Sequence, residues 1–368
     1  MSPRRKSIDK VLFWTVCALV FIGFFILASA STGLLIKSEG ANFYDAIFQQ
    51  VVFGLAGGMA FFLLAIKIDY HVWAKFALPI FIFSFFLTFL VFVPNIGFSH
   101  GGAKRWISWG PIFFQPSELL KFGFIAYLAA WIASRKLYIK SFKKGFLPFL
   151  IIVAFAGLLI VLEPDIGTLG VILAGGIALF FIGGGKITHF LIMMCVIGVI
   201  FSVLIYLEPY RLERILVFIN PSYDPQGAGY QLRQSLIAIG SGGLFGRGFG
   251  TSIQKFNYLP EPVGDSVFAV FGEEFGFAGS LFLVGLFMFF LYKGFSIALR
   301  ASDDFGRLLG VGIVILIVMQ SFINIASMIG IFPLTGLPLI FISKGGSALI
   351  TALFEAGILL NISKHVKD

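Results

Sequence analysis

Apolar runs close to the length that crosses a bilayer, about 20 residues, recur along the whole chain. Such runs leave few folds available. In hydrocarbon every backbone amide and carbonyl must find a partner inside the protein, so only helices or closed barrels span it. These runs are too long and too uniformly apolar for barrel strands, which alternate over about ten residues. The 368 residues are 58% hydrophobic and 12% charged, with a mean hydropathy of +0.98. The expected fold class is therefore an all-α polytopic membrane protein. About ten transmembrane helices are expected, near 11–31, 47–67, 73–93, 117–134, 147–163, 166–183, 187–207, 265–292, 308–331 and 338–362. Residues 1–368 read as one integral membrane domain, with a large extracytoplasmic loop, about 208–264, between helices 7 and 8. Ala28-Ser29-Ala30 imitates a signal-peptide cleavage site. The run from Val11 to Leu27 is longer than a signal sequence needs, so an uncleaved first helix is expected.

The net charge of +9 does not point to nucleic acid, because the basic residues fall mainly in short inter-helix loops. With both termini in the cytoplasm, 17 Lys and Arg lie inside and eight outside. The inside set includes Arg4, Arg5, Lys6 and Lys10 at one end and Lys364 and Lys367 at the other. That asymmetry fixes the orientation by the positive-inside rule. The outer loop departs from it locally. It carries Arg211, Arg214, Arg233, Arg247 and Lys255 against Glu208, Glu213, Asp224 and Glu261. Snorkelling toward lipid phosphates is the plain explanation for any single arginine. Within the loop, Gly229 to Ile239 has helical apolar spacing and reads as a short helix on or in the interface. The six glycines of Gly240 to Gly250 read as a close-packed turn region, not a span. Cys17 and Cys195 have neither disulfide support nor metal-ligand spacing, and the four histidines are scattered. No nucleotide-binding motif or Ser/His/Asp set is present. No internal repeat is found either, which counts against a transporter built from paired halves.

Ionisable residues inside spans are functional candidates because each is costly there. Glu118 and Lys121, three apart in Gln115-Pro-Ser-Glu-Leu-Leu-Lys121, can neutralise each other on one helix face. Glu163-Pro-Asp165-Ile-Gly-Thr168 marks a tight outer turn in which Asp165 can cap the next helix, while Glu163 has no local reason to be acidic. Asp265 stands where the outer loop enters helix 8; helix capping competes with a role as a base. Glu273 and Glu274 lie deeper on that helix and must be protonated, paired or hydrated. Lys344 lies in the tenth span and needs an acid or a polar cavity.

At this point several motifs, in order, carry a resemblance. They are Gly102-Ala-Lys-Arg-Trp106, Gln115-Pro-Ser-Glu118 with Lys121, and Leu162-Glu-Pro-Asp-Ile-Gly-Thr168. The outer loop adds Pro209-Tyr-Arg-Leu-Glu-Arg-Ile215, Asp224-Pro-Gln-Gly-Ala-Gly-Tyr-Gln231, Tyr258-Leu-Pro-Glu261 and Asp265. Gly272-Glu-Glu274, Phe332-Pro-Leu-Thr-Gly336 and Gly345-Gly-Ser347 complete the series. Together they resemble the SEDS family (shape, elongation, division and sporulation), most closely its cell-division branch. The resemblance implies ten helices and a peptidoglycan glycosyltransferase that polymerises lipid II and releases undecaprenyl pyrophosphate. It also implies a single-pass class B penicillin-binding protein as partner, other division proteins at the septum, and Asp265 as the catalytic aspartate. The sequence departs from the family at Val263-Gly264, Ser266-Val267, Ile340 and Lys344.

Inverting transfer of a sugar to an alcohol needs a general base, which Asp265 can supply, and cations for the leaving pyrophosphate. The candidates for substrate or pyrophosphate contact are Lys104, Arg105, Lys121, Arg211, Arg214, Glu118 and Glu261. No cofactor is established by the sequence. It leaves room for a divalent cation, Mg or Mn, with Glu118, Glu163 or Asp165 as ligands. Two rival readings are a lipid II flippase, which needs a continuous polar path, and a non-catalytic division scaffold.

Overall fold

The computed structural model describes residues 7–37, 49–100, 103–109, 112–207, 209–220, 223–256 and 258–366. The charges expected at Arg4, Arg5, Lys6, Glu208 and Lys367 lie outside these described residues.

The fold is helical, as the apolar runs require. Helix α1 spans Lys10–Lys37. A π-helical stretch, Gln49–Gly57, runs into α2, Gly58–Lys67. Then come α3 (His71–Lys75), α4 (Ala77–Phe89), α5 (Pro116–Ser134), α6 (Leu147–Leu162) and α7 (Ile166–Ile182). Helix α8 (Ile187–Leu207) leads to two loop helices, α9 (Pro209–Ile219) and α10 (Tyr230–Ser241). The chain closes with α11 (Val267–Leu299), α12 (Asp304–Met328) and α13 (Gly346–Ser363). Among the described residues, eight helices are long and apolar enough to cross a membrane. Two shorter apolar helices, Ala77–Phe92 and Ile166–Ile182, occupy the third and sixth expected spans.

The helix ends follow local chemistry. Asp165 caps α7 by accepting from Thr168 N at 3.0 Å, and Asp303 caps α12 by accepting from Gly306 N at 2.9 Å. Pro116 opens α5, where no intrahelical donor is needed. The short helix expected over 229–239 is α10; α9 was not anticipated, although its strongly amphipathic sequence begins with Pro209. Helices α12 and α13 are the most buried, and α12 packs on α5, α7, α11 and α13.

Three features differ from the sequence reading. A small antiparallel sheet is formed by β1 (Gly97–His100), β2 (Ala103–Trp109) and β3 (Ile112–Phe114), ordered β1-β2-β3. Short strands outside the spans can pair with one another, a solution that hydropathy does not report. Helix α11 breaks at Gly276, with φ 66° and ψ −163°. The tenth span begins at Gly346, not near 338, because 334–345 is irregular, with 339–343 buried. Its carbonyls are satisfied by side chains: Leu334 by Arg214, Leu337 by Asn324, Pro338 by Gln320 and Ser343 by Gln50. Non-helical backbone at this depth survives when the protein itself supplies the partners.

Candidate active site at the mouth of α11

The irregular segment brings the site together. Asp265 lies one residue before Ser266, the N-cap of α11, and no side chain caps this helix. The capping role weighed for Asp265 is thus absent. Its carboxylate faces sideways instead. Gln231, near the start of α10, donates from Nε2 to Asp265 Oδ2 at 3.2 Å and to Ser266 Oγ at 3.0 Å. Asn324 of α12 donates from Nδ2 to the carbonyls of Asp265 and Leu337, both at 2.7 Å. Gly336, at φ 71°, passes so close that a Cβ there would lie 3.8 Å from Asp265 Oδ2. Helices α10, α11 and α12 and the 334–345 segment therefore share one corner.

Burial pushes the Asp265 carboxyl up to about 6, Glu261 adds to the rise, and the Gln231 hydrogen bond and the Arg214 charge oppose it. At neutral pH most of it is ionised, yet it is a stronger base than an exposed aspartate. Three buried polar atoms in this cluster have no partner: Asp265 Oδ1, Asn324 Oδ1 and Thr335 Oγ1. Each such atom costs about 1–3 kcal/mol. Grouped around a carboxylate, they suit a site that receives a polar ligand.

The other candidates separate into distinct places. Arg214 is exposed, borders Asp265 and donates to the Leu334 carbonyl at 2.8 Å. Arg211 is buried and turned away, donating to the Leu204 carbonyl in the last turn of α8 at 2.7 Å. Glu261 is exposed, with φ 46°. Lys104 is exposed on β2. Arg105 holds the α6–α7 turn, donating to the carbonyls of Glu163 at 3.1 Å and Pro164 at 2.6 Å, with Asp165 Oδ2 at 3.9 Å. This turn backs the site, since a Cβ on Gly167 would meet Leu337 and Thr335 at 2.7 and 3.1 Å. Both Glu163 oxygens are buried without a partner, and burial pushes this carboxyl up to about 9.

Glu118 and Lys121 form the expected pair at 2.8 Å, and Lys121 also donates to Gln320. Thr351 and Glu355 line the same small pocket. Among the described residues no three His, Cys, Asp or Glu side chains are placed to hold a metal, so Glu118, Glu163 and Asp165 form no ligand set. Glu273 and Glu274 do not face Asp265. Glu274 pairs with Lys255 at 2.9 Å, and Glu273 accepts from Ser252 Oγ at 2.6 Å and from two loop amides. Lys344 precedes α13 rather than lying in it, its amide donating to the Val263 carbonyl at 2.7 Å.

The sequence reading gives no site role to Gln231, Asn324, Thr335 or Glu355, although Gln231 and Thr335 stand inside motifs that carry the resemblance. Glu355 was findable as an acid inside a span. The roles of Gln231 and Asn324 show only when the fold sets them against Asp265.

Fold and site define a multi-pass helical membrane protein with a buried carboxylate at one helix mouth. The chain belongs to the FtsW/RodA/SpoVE family of cell cycle proteins, whose family model matches residues 10–368. It is 39% identical over 366 residues to the stage V sporulation protein E of Bacillus subtilis (strain 168), covering 99% of both chains. It is 37% identical over 369 residues to the probable peptidoglycan glycosyltransferase FtsW of Geobacter sp. (strain M18), again covering 99% of both. Among solved structures it resembles one titled for the coordination of polymerization and crosslinking by a peptidoglycan synthase complex. There the TM-score is 0.81, with 28% identity over 98% of this chain and 99% of that one. It also resembles the rod shape determining protein RodA of Thermus thermophilus, with TM-score 0.72 and 26% identity over the full length of both.

Proposed function

We propose that this chain is a peptidoglycan glycosyltransferase that polymerises lipid II into β-1,4-linked glycan and releases undecaprenyl pyrophosphate. The observation that carries the reading is the Asp265 carboxylate: one oxygen is held by Gln231, the other is unpartnered, and burial raises its basicity. The sugar 4-hydroxyl of one lipid II attacks the anomeric carbon of the growing chain. Asp265 takes the hydroxyl proton on Oδ1 as the new bond forms, and the pyrophosphate leaves from the opposite face with inversion. Lys104 and Arg214, the latter also donating to the Leu334 carbonyl, are the exposed cations among the candidates and the ones placed to meet the departing charge. Arg105, Arg211 and Lys121 hold backbone or side-chain partners and serve mainly to shape the site.

The whole chain acts as one membrane unit, with both termini cytoplasmic by charge asymmetry and Asp265 on the outer side. A single-pass class B penicillin-binding protein is the expected crosslinking partner, and a relative titled as a synthase complex supports that pairing. A septal role agrees with the relatives named FtsW. The test is Asp265→Asn with labelled lipid II and partner present, read as glycan length on a gel. Folded mutant should lose at least about 100-fold in rate, the scale of a general base. Full-length glycan from it would remove Asp265 from the chemistry. Retained lipid II transport with no polymer in either protein would instead favour a flippase.

A further inference from the structure

The break in α11 is filled by the glycine-rich part of the outer loop. Gly276 leaves neighbouring helix amides and carbonyls without intrahelical partners, and the loop supplies them. Phe277 N donates to the Gly243 carbonyl at 2.9 Å and Ala278 N to the Leu244 carbonyl at 3.0 Å. In return Arg247 N donates to the Glu273 carbonyl and Gly248 N to the Glu274 carbonyl, both at 3.0 Å. Only glycine permits this approach: a Cβ on Gly246 would lie 2.1 Å from the Glu274 carbonyl oxygen. The docked loop then exposes apolar side chains, Leu244 at 68%, Phe245 at 83%, Phe249 at 52% and Ile253 at 52%.

The depth of this docking follows from helix length. One face of the bundle is marked by the Asp9–Lys293 ion pair at 3.2 Å. A hydrocarbon core of about 30 Å takes about 20 helical residues. Counted from Lys293 along α11, that length ends at Glu273; counted from Asp9 along α1, it ends at Ser29. These two levels coincide in space, because Ser29 Oγ donates to Glu274 Oε1 at 2.6 Å and Lys255 bonds both. The polar boundary of the far leaflet therefore runs through Ser29, Glu274 and Lys255. Leu244 and Phe245 are bonded or adjacent to backbone at 277–278, about 6 Å on the hydrocarbon side of it. Their surface continues into exposed Phe277 and Leu281 of α11, and Phe249 packs on Phe25 of α1 at 6.3 Å.

We infer that residues 242–253 form a re-entrant wedge immersed in the leaflet on the Asp265 side, with lipid acyl chains covering Leu244 and Phe245. The wedge depends on membrane placement and not on the proposed chemistry. Its four backbone bonds to α11 tie the helix that follows Asp265 to the lipid surface. Asp265, eight residues beyond Glu273, then stands on the aqueous side of that boundary.

The test is spin labelling of the full chain in nanodiscs, with Cys17 and Cys195 replaced by Ser. Labels at Phe245→Cys and, separately, Leu244→Cys are compared with Leu281→Cys as the lipid reference and Tyr223→Cys as the aqueous one. Power-saturation with oxygen and with a water-soluble nickel chelate reads the surroundings. The wedge predicts high oxygen and low nickel accessibility at both positions, matching Leu281→Cys. Nickel accessibility like that of Tyr223→Cys would overturn it. Low accessibility to both reagents, meaning cover by a second copy of the chain, would overturn it as well. A position whose variant fails size-exclusion is replaced by Phe249→Cys.

Discussion

Gln231 holds Oδ2 of Asp265 at 3.2 Å and leaves Oδ1 without a partner. The two oxygens of the carboxylate are thus inequivalent before substrate arrives. The amide fixes the plane of the group and stabilises its ionised form, opposing the rise caused by burial.

Removing that donor should show in the pH profile. Gln231→Leu takes away an interaction that lowers the Asp265 pKa, so the acidic limb of polymerase rate should move above pH 6. Below that limb the loss relative to wild type should be largest, and it should shrink as pH rises to 8. Gln231→His, which keeps a ring N–H donor, should restore part of the shift. A uniform loss across pH with an unmoved limb would reduce Gln231 to packing. Initial rates on lipid II between pH 5 and 8.5 decide it.

The two arginines of α9 should behave differently despite their spacing. Arg214 is exposed beside Asp265, and Arg211 is buried against α8. If Arg214 meets the pyrophosphate, Arg214→Gln should cost about 1.5–3 kcal/mol in the transition state, or about 10–150-fold in kcat/KM. Arg211→Gln should lower thermal stability while leaving the rate of folded protein within a few-fold. Equal rate losses with equal stability would show that the burial difference does not matter to function.

The spans were legible because hydrocarbon imposes one local solution, the helix, on each long apolar run. The pair Glu118–Lys121 was legible for the same reason, since two opposite charges three residues apart share a helix face. Asp265 stands out in the sequence through the boundary it occupies and the family motif around it. What was not legible depends on contacts between distant segments. Pro338 to Ile342 is apolar enough to read as helix, yet it is irregular because Gln320, Asn324 and Gln50 satisfy its surroundings from other elements. Glu273 and Glu274 read as buried acids in need of partners, and nothing local shows that Ser252, Lys255 and Ser29 supply them.

That buried network gives a stability prediction. Lys255 is fully buried and donates to Ser29, Gly250 and Glu274 at 2.8–2.9 Å. Lys255→Met should leave the Glu274 charge unpaired, at a cost of about 3–5 kcal/mol. Lys255→Met with Glu274→Gln removes both charges and should recover a large part of the loss. Thermal unfolding of the two variants and wild type in one detergent checks this. A double variant as unstable as the single one would show that packing, not charge pairing, sets the cost.

Glu163 gives a pH-dependent stability with a definite sign. Its folded-state carboxyl titrates near 9, against 4.5 when exposed, because burial penalises the charge. Below pH 4.5 both states hold the proton and Glu163 adds no pH dependence. Between 4.5 and 9 the unfolded chain releases a proton that the native protein keeps, so stability falls as pH rises. The slope from this one group approaches about 1.4 kcal/mol per pH unit, and it flattens above 9. Asp265, also raised, contributes in the same direction up to about pH 6, and the difference between wild type and Glu163→Gln from pH 6.5 to 8.5 isolates Glu163. Glu163→Gln should be more stable than wild type throughout that window, with the gap widening toward 8.5. Unfolding midpoints at pH 6.5, 7.5 and 8.5 measure the gap. Parallel curves for the two proteins would mean that Glu163 is ionised in the native turn, with Arg105 as its counter-ion.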